Sequence, residues 1–91
     1  MSNAIYFTIE RKAEVLVRIG LSRSTFYNRI NKGLWVPPIS LGDRAVGFLK
    51  HETDQILASY IRGASNDEIK VLVISLVAAR QNILEASWIS F

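Results

Sequence analysis

Three residues, Gly20-Leu21-Ser22, separate two stretches of helical periodicity, and so short a link leaves few ways to arrange what it joins. On its N-terminal side, "RKAEVLVRI" puts Ala13, Val15, Leu16 and Ile19 on one face and Lys12, Glu14 and Arg18 on the other. Gly20 suits the left-handed conformation that follows a helix C-terminus. On the other side, Ser22 stands at an N-cap position, its hydroxyl placed to accept from the amides of Ser24 or Thr25. From Arg23 the pattern is helical again: Phe26 and Ile30 lie one turn apart, facing inward, and Gly33 closes the segment. Two helices meeting across such a link form a sharp corner, the helix-turn-helix arrangement.

The next stretch, "WVPPISLGDRAVGF", excludes helix through its two prolines and two glycines. Ile39 and Leu41 alternate, Gly42-Asp43-Arg44 turns, and Ala45, Val46 and Phe48 continue, which reads as a short β-hairpin, a wing over 39–48. Leu49, Thr53, Ile56, Leu57, Tyr60 and Ile61 then recur at helical spacing and predict a third helix ending at Gly63. In the tail, Ser65 and Glu68 have the spacing of a capping box, and Asp67 and Glu68 suit the positive end of a helix dipole. That tail helix, about 66–84, carries one apolar stripe of Ile69, Leu72, Val73, Leu76, Val77 and Ile83 and a second of Val71, Ile74 and Ala78. A helix apolar on two faces is not a lone surface helix. One stripe covers the domain's own helices, and the other is expected to mediate self-association. At the opposite end, "IYFTI" alternates Ile5, Phe7 and Ile9, the pattern of a short half-buried strand.

With 91 residues the chain makes one small domain with a modest core, and half its residues are apolar. It has no cysteine, so disulfide frameworks and thiolate metal sites are excluded. The longest apolar run, "VLVISLVAA", is too short for a bilayer, and the start lacks the features of a signal peptide, so a cytoplasmic protein without membrane contact is expected. Residues 1–62 hold nine Lys/Arg against five Asp/Glu, whereas 63–91 hold two against three, within a whole-chain net charge of +3. The basic half suits a polyanion.

Advancing about 100° per residue from Arg23, the side opposite Phe26 and Ile30 carries Ser24, Thr25, Asn28 and Lys32, with Arg29 at the flank and no carboxylate. Asparagine suits bidentate contact with adenine, and lysine or arginine suits guanine. Ser22, the helix N-terminus and Arg23 suit phosphates, Tyr27 has a hydroxyl within reach of one, and Arg44 stands at the tip of the hairpin. A merely solvated polar helix is the plain alternative. It gives no common cause for the corner, the carboxylate-free face and the basic hairpin tip.

The segments "RKAEV", "GLSRSTFYNRI", Gly33, the proline pair and "SLGDRAVGF" resemble the AlpA-like prophage regulators over about residues 8–62. The resemblance implies a MerR-like winged helix-turn-helix, similar to phage excisionases: a mainly α fold with a small hairpin, followed here by a C-terminal helix. It further implies a transcriptional regulator bound to double-stranded DNA, recognition helix 23–32 in the major groove, and no cofactor. A homodimer or an array on DNA, with an integrase or RNA polymerase as protein partner, belongs to the same expectation. Two positions depart from the family pattern: Phe48 stands where tryptophan is usual, and Thr53 follows Glu52 where valine is usual. Both look like core positions. The segment 63–91 matches less well and is read as an oligomerisation element.

Other chemistry is thinly supplied. His51 is the one histidine, its neighbours in sequence face apart, and no P-loop, nucleophile elbow or dinucleotide fingerprint occurs, so an enzyme is the poorest fit. Trp35, Trp88 and Phe91 read as packing residues. The rival readings are an excisionase-like factor that bends DNA for an integrase, and a protein-interaction module working through the tail helix.

Overall fold

The computed structural model describes residues 7–89, with side chains through residue 82. In chain order it contains β1 (Ile9–Glu10), α1 (Lys12–Ile19), α2 (Arg23–Asn31), β2 (Ile39–Gly42), β3 (Ala45–Leu49), α3 (Lys50–Ile61) and α4 (Asn66–Ile89). The fold is mainly helical with a small antiparallel sheet in the order β1-β3-β2, compatible with a winged helix-turn-helix followed by a C-terminal helix.

The corner forms as its residues dictate. Gly20 takes φ 69°, in the left-handed region, and its N–H donates to the Leu16 carbonyl. Gly33 takes φ 74° after α2, its N–H donating to the Ile30 carbonyl at 3.1 Å, while the next N–H, from Leu34, reaches back to the Arg29 carbonyl at 2.8 Å. This pair of bonds satisfies carbonyls that a helix end leaves open. Phe26 then fixes α2 in place. It is fully buried, with ring centroids 5.5 Å from Trp35 and 5.3 Å from Phe48, so the second helix, the turn after it and β3 share one aromatic cluster. Truncating such a ring typically costs about 3–5 kcal/mol.

Val15, Val36, Ile56, Ile69, Val73 and Leu76 complete the same core. The tail helix therefore packs its Ile69–Val73–Leu76 stripe on the other helices, under a capping box in which Ser65 and Glu68 bond reciprocally. Ile83 of that expected stripe, together with Ile5, Trp88 and Phe91, lies outside the described side chains. Phe48 and Thr53 are both core positions, as the sequence indicates.

Three expectations need correction. The N-terminal strand is Ile9–Glu10, paired with Leu49 and Phe48, and Phe7 and Ile9 are exposed. Its inward residue is Glu10, which the sheet register turns toward the core and which the Arg18 guanidinium meets at 3.5 Å. Ile61 is 84% exposed because α3 ends there, before another element can cover it. Ala13 is exposed on α1, where Val15 takes the inward position.

Candidate nucleic-acid interface

Ser22 builds the start of α2. Its Oγ accepts from the Thr25 N–H at 3.2 Å and donates to Thr25 Oγ1 at 2.9 Å, so these two hydroxyls largely serve the cap. Arg23, Ser24, Asn28 and Lys32 are exposed around the helix, and no acidic residue occurs in it. Arg29 is different. It is half-buried, with its guanidinium carbon 4.8 Å from the Tyr60 ring centroid, which holds it toward α3. Tyr60 in turn stacks on Trp35 and donates to the Leu34 carbonyl.

The hairpin turns through Asp43 and Arg44, with φ 43° and 68°, and Gly42 pairs with Ala45 across it. Two consecutive positive φ values make the tight hairpin turn whose twist matches that of the strands. For a non-glycine residue this conformation is unusual, and it presents Arg44 at the exposed tip. No hydrogen bond or ion pair links Arg44 to α2 among the described residues.

The distribution of counter-charges separates the cations into two groups. Arg18 pairs with Glu10 and Asp54, Lys50 with Asp54, and Arg80 with Glu52. Lys50, before the attraction of Arg18, draws the Asp54 carboxyl below the usual range. Arg11, Lys12, Arg23, Arg29, Lys32, Arg44, Arg62 and Lys70 have no carboxylate partner among the described residues, and four of these stand on α2, at its end and at the hairpin tip. The uncompensated charges of α2 and the hairpin tip are among those available to an external anion.

A sequence profile of the prophage CP4-57 regulatory protein (AlpA) family matches residues 8–61. The chain belongs to this family of prophage regulators. The AlpA match begins just before β1 and stops where α3 stops, so it contains the corner, α2 and the hairpin. A curated relative, "Uncharacterized protein ORF88" of Enterobacteria phage P4, is 43% identical over 53 residues, covering 58% of this chain and 60% of that protein. The aligned part is thus less than two-thirds of the relative's length. No solved structure matches the chain.

Two contacts escape the sequence reading of this AlpA-family chain. Lys12 of α1 donates to the Tyr27 hydroxyl, with its ammonium 4.8 Å from the ring centroid. Arg80 of α4 reaches both Glu52 and the Pro37 carbonyl, just ahead of the hairpin. Their partners lie 15, 28 and 43 residues away, beyond any periodic signal. The described residues gather no group of three or more His, Cys, Asp or Glu, and no described helix is long and apolar enough to cross a membrane.

Proposed function

We propose that the chain is a sequence-specific binder of double-stranded DNA, acting as a transcriptional regulator of a prophage or mobile element. The observation that carries this reading is the outward face of α2, exposed, free of carboxylates and flanked by cations that no acid neutralises. Phe26 anchors the helix from behind, so its exposed face is held at a fixed angle for the major groove. In this reading Asn28 offers an amide to an adenine edge and Lys32 an ammonium to guanine. Ser22, Ser24, Thr25 and Arg23 meet phosphates near the helix N-terminus, Arg29 stands at the flank of the last turn against Tyr60, and Arg44 reaches the backbone or minor groove from the wing. Selection of bound sites from random duplexes, followed by Asn28→Ala on the selected site, tests it. The expected loss is about 1–3 kcal/mol with one position of the motif relaxed. Equal loss on cognate and unrelated DNA removes Asn28 as a reader, and a selection that enriches no motif overturns sequence-specific binding.

The second copy of such a binder is proposed to dock through α4. A nine-residue helix is about 13 Å long, the rise of only about four base pairs, so one copy reads a half-site. On α4, Val71 and Ile74 are 67% and 69% exposed, Ala78 continues their row, and a groove lined by Arg62, Glu68, Val71 and Leu72 adjoins it. An apolar row of this kind, backed by a core on its other side, suits an isologous contact between two chains.

A further inference from the structure

The proposed reading face leaves the bond between Lys12 and Tyr27 without a role. Lys12 opens α1 and Tyr27 lies in the middle of α2, so the contact ties the two helices together on the outside of the corner. Neither group closes the core: Lys12 is half-buried and Tyr27 is 43% exposed. The chemistry of the pair is lopsided. An ammonium has only donors, so the phenol oxygen accepts from Lys12 and its own O–H remains to be donated elsewhere. Arg23 lies four residues before Tyr27, on the same side of α2. The hydrogen bond from Lys12, followed by the charges of Lys12 and Arg23, holds the Tyr27 phenol below its ordinary pKa, so both cations bear on this one oxygen. No carboxylate pairs with either among the described residues. The three side chains therefore converge donors and positive charge on a small exposed area.

We propose that Lys12, Tyr27 and Arg23 together grip one phosphodiester of the DNA backbone, so that α1 as well as α2 touches DNA. The inference rests on α2 being the DNA-facing helix, and it adds Lys12 to the interface. A phosphodiester offers two unbridged oxygens, enough for the two cations and the phenol proton at once. It is a phosphate rather than a base because the site lies on the flank that joins α1, beside the face carrying Asn28. Such a contact sets the register of the helix and carries no sequence information.

Salt titrations of Lys12→Gln and Tyr27→Phe on the selected duplex and on an unrelated duplex test the proposal. Lys12→Gln is expected to weaken both complexes alike and to lower the slope of log affinity against log salt by about one. Tyr27→Phe is expected to weaken both with the slope unchanged, because it removes a neutral donor. Replacing single phosphates by uncharged methylphosphonates is expected to find one whose neutralisation hurts the wild-type protein but not Lys12→Gln. Lys12→Arg, which keeps the charge, is expected to restore the slope, separating charge loss from any damage to the corner. A Lys12→Gln slope equal to that of the wild type overturns the proposal while the reading of α2 stands. Wild-type binding that shows no dependence on salt overturns both.

Discussion

The Arg80 guanidinium is locked on the Glu52 carboxylate by two bonds, Nε to Oε2 at 3.0 Å and Nη2 to Oε1 at 2.7 Å. The Glu52 side chain is 1% exposed, so its charge is taken out of water and Arg80 is its counter-charge. Arg80→Ala leaves that carboxylate buried alone, and a loss of about 3–5 kcal/mol in unfolding free energy is expected. Replacing both partners by methionine is expected to recover most of it, since apolar residues of similar volume carry no desolvation cost. Denaturant titration of the single and double variants checks this; a double variant as unstable as Arg80→Ala would show that packing rather than charge dominates.

Thr53 is fully buried and its hydroxyl has no hydrogen-bond partner. A hydroxyl removed from water without compensation costs about 1–3 kcal/mol by protein mutational measurements. Valine fills nearly the same space without it and is the residue usual in the resembling family. Thr53→Val is expected to raise stability by about 1–2 kcal/mol, read as a higher melting temperature.

Arg23 at the start of α2 and Arg44 at the hairpin tip are exposed and without carboxylate partners among the described residues. Each, changed to alanine, is expected to weaken binding to all duplexes alike and to lower the salt slope by about one. Unchanged slopes in both variants would move the interface to another face of the molecule.

Ile74→Asp places a charge in the exposed row of α4 without touching the buried Ile69–Val73–Leu76 stripe. The expected product is a folded monomer that binds DNA more weakly than the wild type. Sedimentation at micromolar concentration, with and without duplex, measures it, and a wild-type protein monomeric in both conditions contradicts self-association.

The Glu68 carboxyl is held below its ordinary pKa by the Ser65 N–H, at 2.9 Å, and then by the Ser65 hydroxyl. A folded-state pKa lowered in this way contributes stability above the unfolded-state pKa and loses it as pH falls through the folded value. Wild-type stability is therefore expected to fall in acid, and Glu68→Gln to reduce that dependence, starting from the ordinary glutamate range downward. Thermal melts over a pH series report the difference.

The parts legible in the sequence are those fixed by near neighbours. Gly20, Ser22 and Gly33 act on backbone groups a few residues away, and Ser65 and Glu68 complete each other across one turn. The same locality explains the exposed polar face of α2, since Phe26 and Ile30, one turn apart, orient it. What escaped depends on distant partners. Nothing near Glu52 announces Arg80, and nothing near Lys12 announces Tyr27. The alternation in "IYFTI" suggested which side of the first strand is apolar, but pairing with Leu49 and Phe48 turned Glu10 inward. Arg29 stands at the flank of the outward face in a helical projection and is drawn to Tyr60 only because α3 packs alongside.

The strand that ends at Leu49 runs straight into the helix that starts at Lys50, with Leu49 itself as the N-cap. There is no linker to act as a hinge. The hairpin is thus the forearm of α3, and the helix two positions further on is gripped through Glu52 by the tail. A push on the guanidinium at its tip is borne by the whole body, so the arm trades reach for aim, and anything that tilts α4 re-aims it.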